Sequence, residues 1–83
     1  MPSKKDKEDI ALDKECLDKL AQRIKRLSEE KFETKIEFAD ACDVNRRTIT
    51  RIINSEQNPS LFLLRRIAVG LEIELKELMD FEN

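Results

Sequence analysis

The chain has 83 residues and a formal net charge of -2, with 41% charged residues, 40% hydrophobic residues, one Gly and two Pro. That is enough for one small domain, helix-rich and water-soluble in composition, and no apolar run approaches the ~20 residues of a membrane helix. Two Cys and no His exclude an ordinary zinc site of about four ligands, and without His, Tyr, a Gly-rich phosphate loop or a nucleophile beside a partner base no enzyme is expected.

Residues 1–8 mix both charges without pattern and read as a disordered tail, followed by a single domain over 9–83. Lys4, Lys5 and Lys7 suggest a basic arm, which Asp6 and Glu8 weaken. The first residues, MPSKKDKED, carry no apolar signal core, so a cytoplasmic protein is expected.

A long amphipathic helix is expected from about Asp9 to Lys31. Leu17, Leu20, Ile24 and Leu27 form its apolar stripe, which Ile10, Leu12 and Cys16 extend or precede as a separate turn. The dense charges are its solvated face, with Glu15 and Lys19 as one pair four residues apart.

Two short helices follow, at about 35–42 and 46–54. Thr34 with Glu37 three residues later makes a capping box, and Ile36, Ala39 and Cys42 give one apolar side. Cys42 is expected to be a plain core residue. Asp43-Val44 is a short break, and Asn45 caps the second helix. Ile49, Ile52 and Ile53 form its inner side, which leaves Arg46, Arg47, Thr50 and Arg51 facing out. Two helices on so short a turn make a helix-turn-helix.

Asn58-Pro59 stops the chain and Ser60 caps a fourth helix, Leu61 to about Leu71. Leu61, Leu64, Ile67, Ala68 and Leu71 are its expected core side. Gly70 lowers helix propensity by ~1 kcal/mol relative to Ala, which implies close packing against a neighbour. A last helix, about Leu75 to Phe81, brings Leu75, Leu78 and Met79 inward.

The stretch FADACDVNRRTITRIINSEQNPSL, Phe38 to Leu61, resembles the Cro/phage-repressor (XRE-type) helix-turn-helix family. Its most specific matches are Ala39, Val44, Ile49 and the run Asn58-Pro59-Ser60-Leu61, all in register. The resemblance spans about Leu20 to Leu78 and implies an all-α, compact five-helix repressor-like domain that binds double-stranded DNA.

It also implies the site. Arg46, Arg47 and Arg51 stand where the family reads bases, with Thr50 against a thymine methyl. Arginine holds guanine O6 and N7 with two hydrogen bonds in the major groove, worth ~1–3 kcal/mol of base discrimination. Lys35 stands where the family places a glutamine on the phosphate backbone. Asn45, Thr48, Asn54, Asn58 and Ser60 are further phosphate candidates, helped by the helix start at Ser60-Leu61. Lys31, Arg65 and Arg66 are expected to add long-range attraction only. On composition alone the three arginines read equally well as a solvated face; register with the family decides for DNA, and an acidic protein surface is the alternative partner.

Three family features are replaced. Asp43 stands at the usual turn Gly and must take the left-handed conformation. Ser55 stands at the Gly after the recognition helix, and Asn54 is expected to take the left-handed role there. Ser28 and Ile53 stand where the family pairs Arg with Glu, so no orphan charge is left. Phe62, Leu63 and Val69 are apolar where the family is polar; with Ile73, Met79 and Phe81 they suggest a homodimer face, or else a cap on the domain's own core. Charge is uneven: residues 1–30 are neutral, 31–66 carry a net +2 and 67–83 a net -4. Local field governs phosphate contact, so a basic face on an acidic chain still binds DNA. The expected function is a sequence-specific transcriptional regulator, a repressor on a palindromic operator, with no cofactor and no small-molecule ligand. Small controllers of restriction–modification genes, antitoxins and phage repressors share this size and layout.

Overall fold

The longest element, α1 (Lys14–Lys31), buries Leu17, Leu20, Ala21, Ile24 and Ser28 along one side, the stripe the sequence spacing requires. These positions belong to a computed structural model that describes residues 14–80. The expected N-terminal tail, Ile10, Leu12 and Phe81 lie outside the described residues. Leu27 is half-buried and packs against the core. On the outer face Glu15 pairs with Lys19 at 3.7 Å and Lys14 with Asp18 at 3.1 Å. Pairs so exposed contribute little to stability, because water screens them.

The remaining described elements are α2 (Lys35–Cys42), α3 (Arg46–Ile53), α4 (Leu61–Leu71) and α5 (Leu75–Leu78). Among the described residues the fold is all-helical, as expected. α2 packs on α3 and α4, while α1 lies across α3, α4 and α5. The shared core is Leu20, Ile24, Phe38, Ala39, Cys42, Ile49, Ile52, Ile67, Ala68, Leu71 and Leu78 with their neighbours.

Two core expectations fail for local reasons. Ile36 is 48% exposed, and Phe38 takes its place inside at 1%. A helix turns ~100° per residue, so Phe38, Ala39 and Cys42 share one side while Ile36 lies about 200° round from Phe38. Phe38 also stacks near Phe32, ring centres 5.7 Å apart. Leu61 is 63% exposed because it opens α4 before the helix reaches the core; the buried stripe starts one turn later at Leu64.

Gly70 sits where α4 crosses the end of α2. A Cβ there would overlap Cys42 Sγ and stand 3.0 Å from the Cys42 backbone nitrogen and 3.1 Å from its Cα. Cys42 is a core residue, as expected. Its thiol lies 3.9 Å from the Ile67 carbonyl, and burial pushes the thiol pKa up to about 11.

α5 ends at Leu78, three residues before the expected limit. Met79 leaves helical geometry at φ -86°, ψ 0°. Arg23 of α1 donates to the Glu77 carbonyl from Nε at 3.1 Å and Nη2 at 2.8 Å, so a cation satisfies the terminal carbonyl.

Candidate nucleic-acid interface

The recognition element starts with two caps. The Thr34 hydroxyl accepts from the Glu37 amide at 3.1 Å. The Glu37 carboxylate reaches back to the Glu33 amide, one residue beyond the position a capping box requires. Asn45 Oδ1 accepts from the Arg47 amide at 2.7 Å and fixes the start of α3. Ile49 and Ile52 are fully buried and Ile53 nearly so. The orientation of α3 is thus set by its apolar side, and its opposite side is left to solvent.

Asp43 takes the left-handed conformation, φ 57° and ψ 47°, as the missing Gly requires. Its amide bonds the Asp40 carbonyl at 3.1 Å, and the Val44 amide bonds Ala39 at 3.0 Å. Arg66 of α4 holds this turn from outside. Its Nη1 donates to the Asp43 carbonyl at 2.8 Å and to the Asp43 carboxylate at 2.7 Å. The same guanidinium lies 4.6 Å from the Phe62 ring centre. Arg66 therefore clamps this turn. Lys31 likewise has a local partner, Glu72, at 3.4 Å.

At the other end of α3 the expected left-handed residue is displaced by one. Asn54 sits at φ -87°, ψ 6°, and Ser55 itself takes φ 61°. The left-handed region costs a non-glycine residue about 1–2 kcal/mol. The Ser55 hydroxyl donates to the Asp18 carboxylate of α1. That bond, and then Lys14, hold the Asp18 carboxyl below its ordinary value. The Glu56 amide closes the turn on the Arg51 carbonyl at 2.8 Å. Ser28 and Ile53, the replaced ion-pair positions, are both buried and line one shallow groove. The Ser28 hydroxyl is satisfied by the Lys25 carbonyl at 2.9 Å.

The expected base readers come together. Arg46, Arg47 and Arg51 are exposed, and Thr48 and Thr50 are half-exposed. Arg46, Arg47, Thr50 and Arg51 border one open concavity, and Asn45 and Thr48 border a second one with Arg46 and Arg47. The electrostatics are adverse in the free protein. Arg46 and Arg47 occupy the first turn of α3, which holds no acidic residue, so two cations sit at the positive end of the helix dipole. Each costs ~0.3–1 kcal/mol there, and Arg47 also repels Arg51 one turn away by ~0.2–0.5 kcal/mol. An arriving anion removes both costs.

Of the phosphate candidates, Lys35 is exposed at the start of α2 and shares a groove with Ile53 at the end of α3. Asn54, Asn58 and Ser60 are exposed, and the Ser60 hydroxyl accepts from the Leu63 amide at 3.1 Å. Sequence reasoning missed Glu56, which borders the arginine concavity although it lies beyond the end of α3.

The apolar residues of the suggested dimer face divide. Phe62 and Val69 are 62% and 72% exposed. Leu63, Ile73 and Met79 are half-buried against the core. Among the described residues no group of His, Cys, Asp or Glu could hold a metal ion, and no helix is long and apolar enough to cross a membrane.

Residues 34–78, more than half of the chain, match the HTH_3 family model, described as Helix-turn-helix. No curated protein matches the chain. Two solved structures share the fold. The restriction-modification controller protein C.AhdI from Aeromonas hydrophila has a TM-score of 0.71 and 27% identity, over 75% of this chain and 94% of that one. The wild-type restriction-modification controller protein C.Esp1396I has a TM-score of 0.69 and 27% identity, over 77% of this chain and 86% of that one. The paired helices, the outward arginines and the match over residues 34–78 together place this chain in the XRE-type helix-turn-helix family of DNA-binding transcriptional regulators.

Proposed function

We propose that this protein is a small repressor that binds a palindromic operator as a homodimer, residues 9–83 acting as one domain in the cytoplasm at the nucleoid. The observation that carries the reading is the placement of Arg46 and Arg47 in the first turn of α3, at its positive end, with no acid in that turn. A fold selected for stability alone would place an acid there. A site that waits for phosphate and guanine would not. In this reading Arg46, Arg47, Thr50 and Arg51 read base edges, and Lys35, Asn45, Thr48, Asn54, Asn58 and Ser60 hold the backbone. Both solved neighbours are restriction-modification controllers, which favours that setting over an antitoxin or a phage repressor.

The dimer rests on Phe62 and Val69, seven residues apart on one face of α4 and largely exposed. Leu63, Ile73, Met79 and Phe81 would border the same seam. Two modules on a two-fold axis place their recognition helices about one helical turn apart, ~34 Å, on inverted half-sites. At micromolar concentration the wild type is expected to sediment at twice the monomer mass, and Phe62→Glu as a monomer. A wild type at monomer mass would remove the dimer from the proposal.

Selection of bound sequences from a random duplex pool at near-physiological salt tests the whole reading. A guanine-containing inverted repeat is the expected product. A single half-site would keep the arginine readout and discard the dimer. No enrichment would reassign the arginines to an acidic protein surface. Lys35 has its own test: Lys35→Ala should flatten the slope of log affinity against log salt by about 0.9, one phosphate, without changing the preferred sequence.

A further inference from the structure

We propose that Glu56 is a specificity residue of the DNA-facing surface: its carboxylate opposes phosphate contacts by the recognition arginines and leaves their contacts with base edges open. The inference rests on the base-reading role of those arginines. Among the described residues Glu56 is the sole acid bordering the concavity formed by Arg46, Arg47, Thr50 and Arg51. It is exposed, and among the described residues it makes no ion pair. Its position is fixed by the backbone, because its amide closes the helix end on Arg51 and Ser55 beside it is held to α1.

A lone carboxylate beside three arginines on a DNA-binding face works against raw affinity. Any phosphate approaching that concavity meets like charge at short range. Its use lies in the difference between two binding modes. In the non-specific mode the arginines seek phosphate, and the carboxylate both competes for them and repels the incoming anion. In the specific mode they donate to neutral guanine O6 and N7. A guanidinium has five N–H donors in a fixed fork, so two can serve guanine while others face a carboxylate. Glu56 therefore penalises the first mode more than the second. Without that carboxylate the segment 31–66 would carry +3 in place of +2, and its three recognition arginines would hold phosphate of any sequence more tightly.

The test uses the full chain, the duplex selected from the random pool, and a scrambled duplex of equal length and composition. Glu56→Gln keeps the backbone amide and the size of the side chain, and an unchanged melting temperature verifies the fold. The variant is expected to bind the scrambled duplex about threefold to tenfold tighter and to gain less on the selected one, so the ratio falls. Glu56→Lys should extend the trend and steepen the salt slope on the scrambled duplex by about 0.9. Equal gains on both duplexes, or no change on either, would overturn the inference. So would loss of preference at a single base position, which would make Glu56 a reader of one base edge. If the wild type selects no sequence, the arginine reading itself has failed, a result visible before any variant is measured.

Discussion

Arg47→Ala and Arg51→Ala are each expected to weaken binding to the selected duplex by roughly fivefold to 150-fold, the equivalent of ~1–3 kcal/mol. Both side chains are exposed and border the same concavity, so neither change leaves a buried group without a partner. What separates a binding loss from a folding loss is the sign of the stability change. Arg47 sits in the first turn of α3, at the positive end of the dipole and one turn before Arg51. Its removal relieves both repulsions, together about 0.5–1.5 kcal/mol, so Arg47→Ala should melt at the same temperature as the wild type or slightly above it. Arg51 lies in the last turn, where a cation is favourable, so Arg51→Ala should be close to neutral for stability. Binding titrations at fixed salt beside thermal melts check both. A melting temperature that falls together with affinity would mean that the arginines support the fold, and the base-reading assignment would be withdrawn. Arg47→Glu should exaggerate the divergence, with better helix electrostatics and the largest loss of binding.

Gly70→Val is expected to cost more than 3 kcal/mol of folding stability, well above the ~1–3 kcal/mol typical of overpacking. The reason is the identity of the obstacle. A Cβ at 70 meets not only the Cys42 sulfur, which can rotate away, but also the Cys42 backbone at 3.0 and 3.1 Å. To make room, the end of α2 must move off α4, and the turn at Asp43 moves with it. Gly70→Ala regains ~1 kcal/mol of helix propensity and should show a net loss of about 1–2 kcal/mol. Valine adds two methyl groups in the same seam and regains less, because branching at Cβ disfavours helix. Against the ~4–12 kcal/mol expected for a chain of this size, the loss in the valine variant removes between a quarter and most of the folding stability. Denaturant midpoints give the size of the loss, and alkylation of Cys42 gives its place. In the wild type that thiol is buried, with its pKa pushed up to about 11, so thiolate is scarce at neutral pH and reaction must await opening. Faster labelling of Cys42 in the valine variant is the expected sign that the α2–α4 seam has opened. A valine variant as stable as the wild type would show that the two helices separate easily.

The helices, their caps and the outward arginines of α3 were legible in the sequence because each rests on neighbours within a turn or two along the chain. Thr34, Asn45 and Ser60 cap amides two or three residues away. Ile49, Ile52 and Ile53 share a side through helical spacing alone, and that side fixes which way Arg46, Arg47 and Arg51 point. Asp43 was readable as left-handed because the turn leaves that residue no other conformation. Gly70 was readable as a close approach because little else justifies glycine inside a helix.

Other features depended on which distant group fills a given space, and no local pattern encodes that choice. The Ser55 hydroxyl found its partner, Asp18, on another helix. Arg66 became the clamp of a turn 23 residues earlier, and Arg23 the cap of a helix end 54 residues later. Which segments are helical and which side of α3 carries positive charge follow from short-range periodicity and were readable from the chain alone. How that charged side is held was settled by packing between elements far apart in the chain, with Arg66 of α4 on the turn before α3 and Asp18 of α1 on the turn after it.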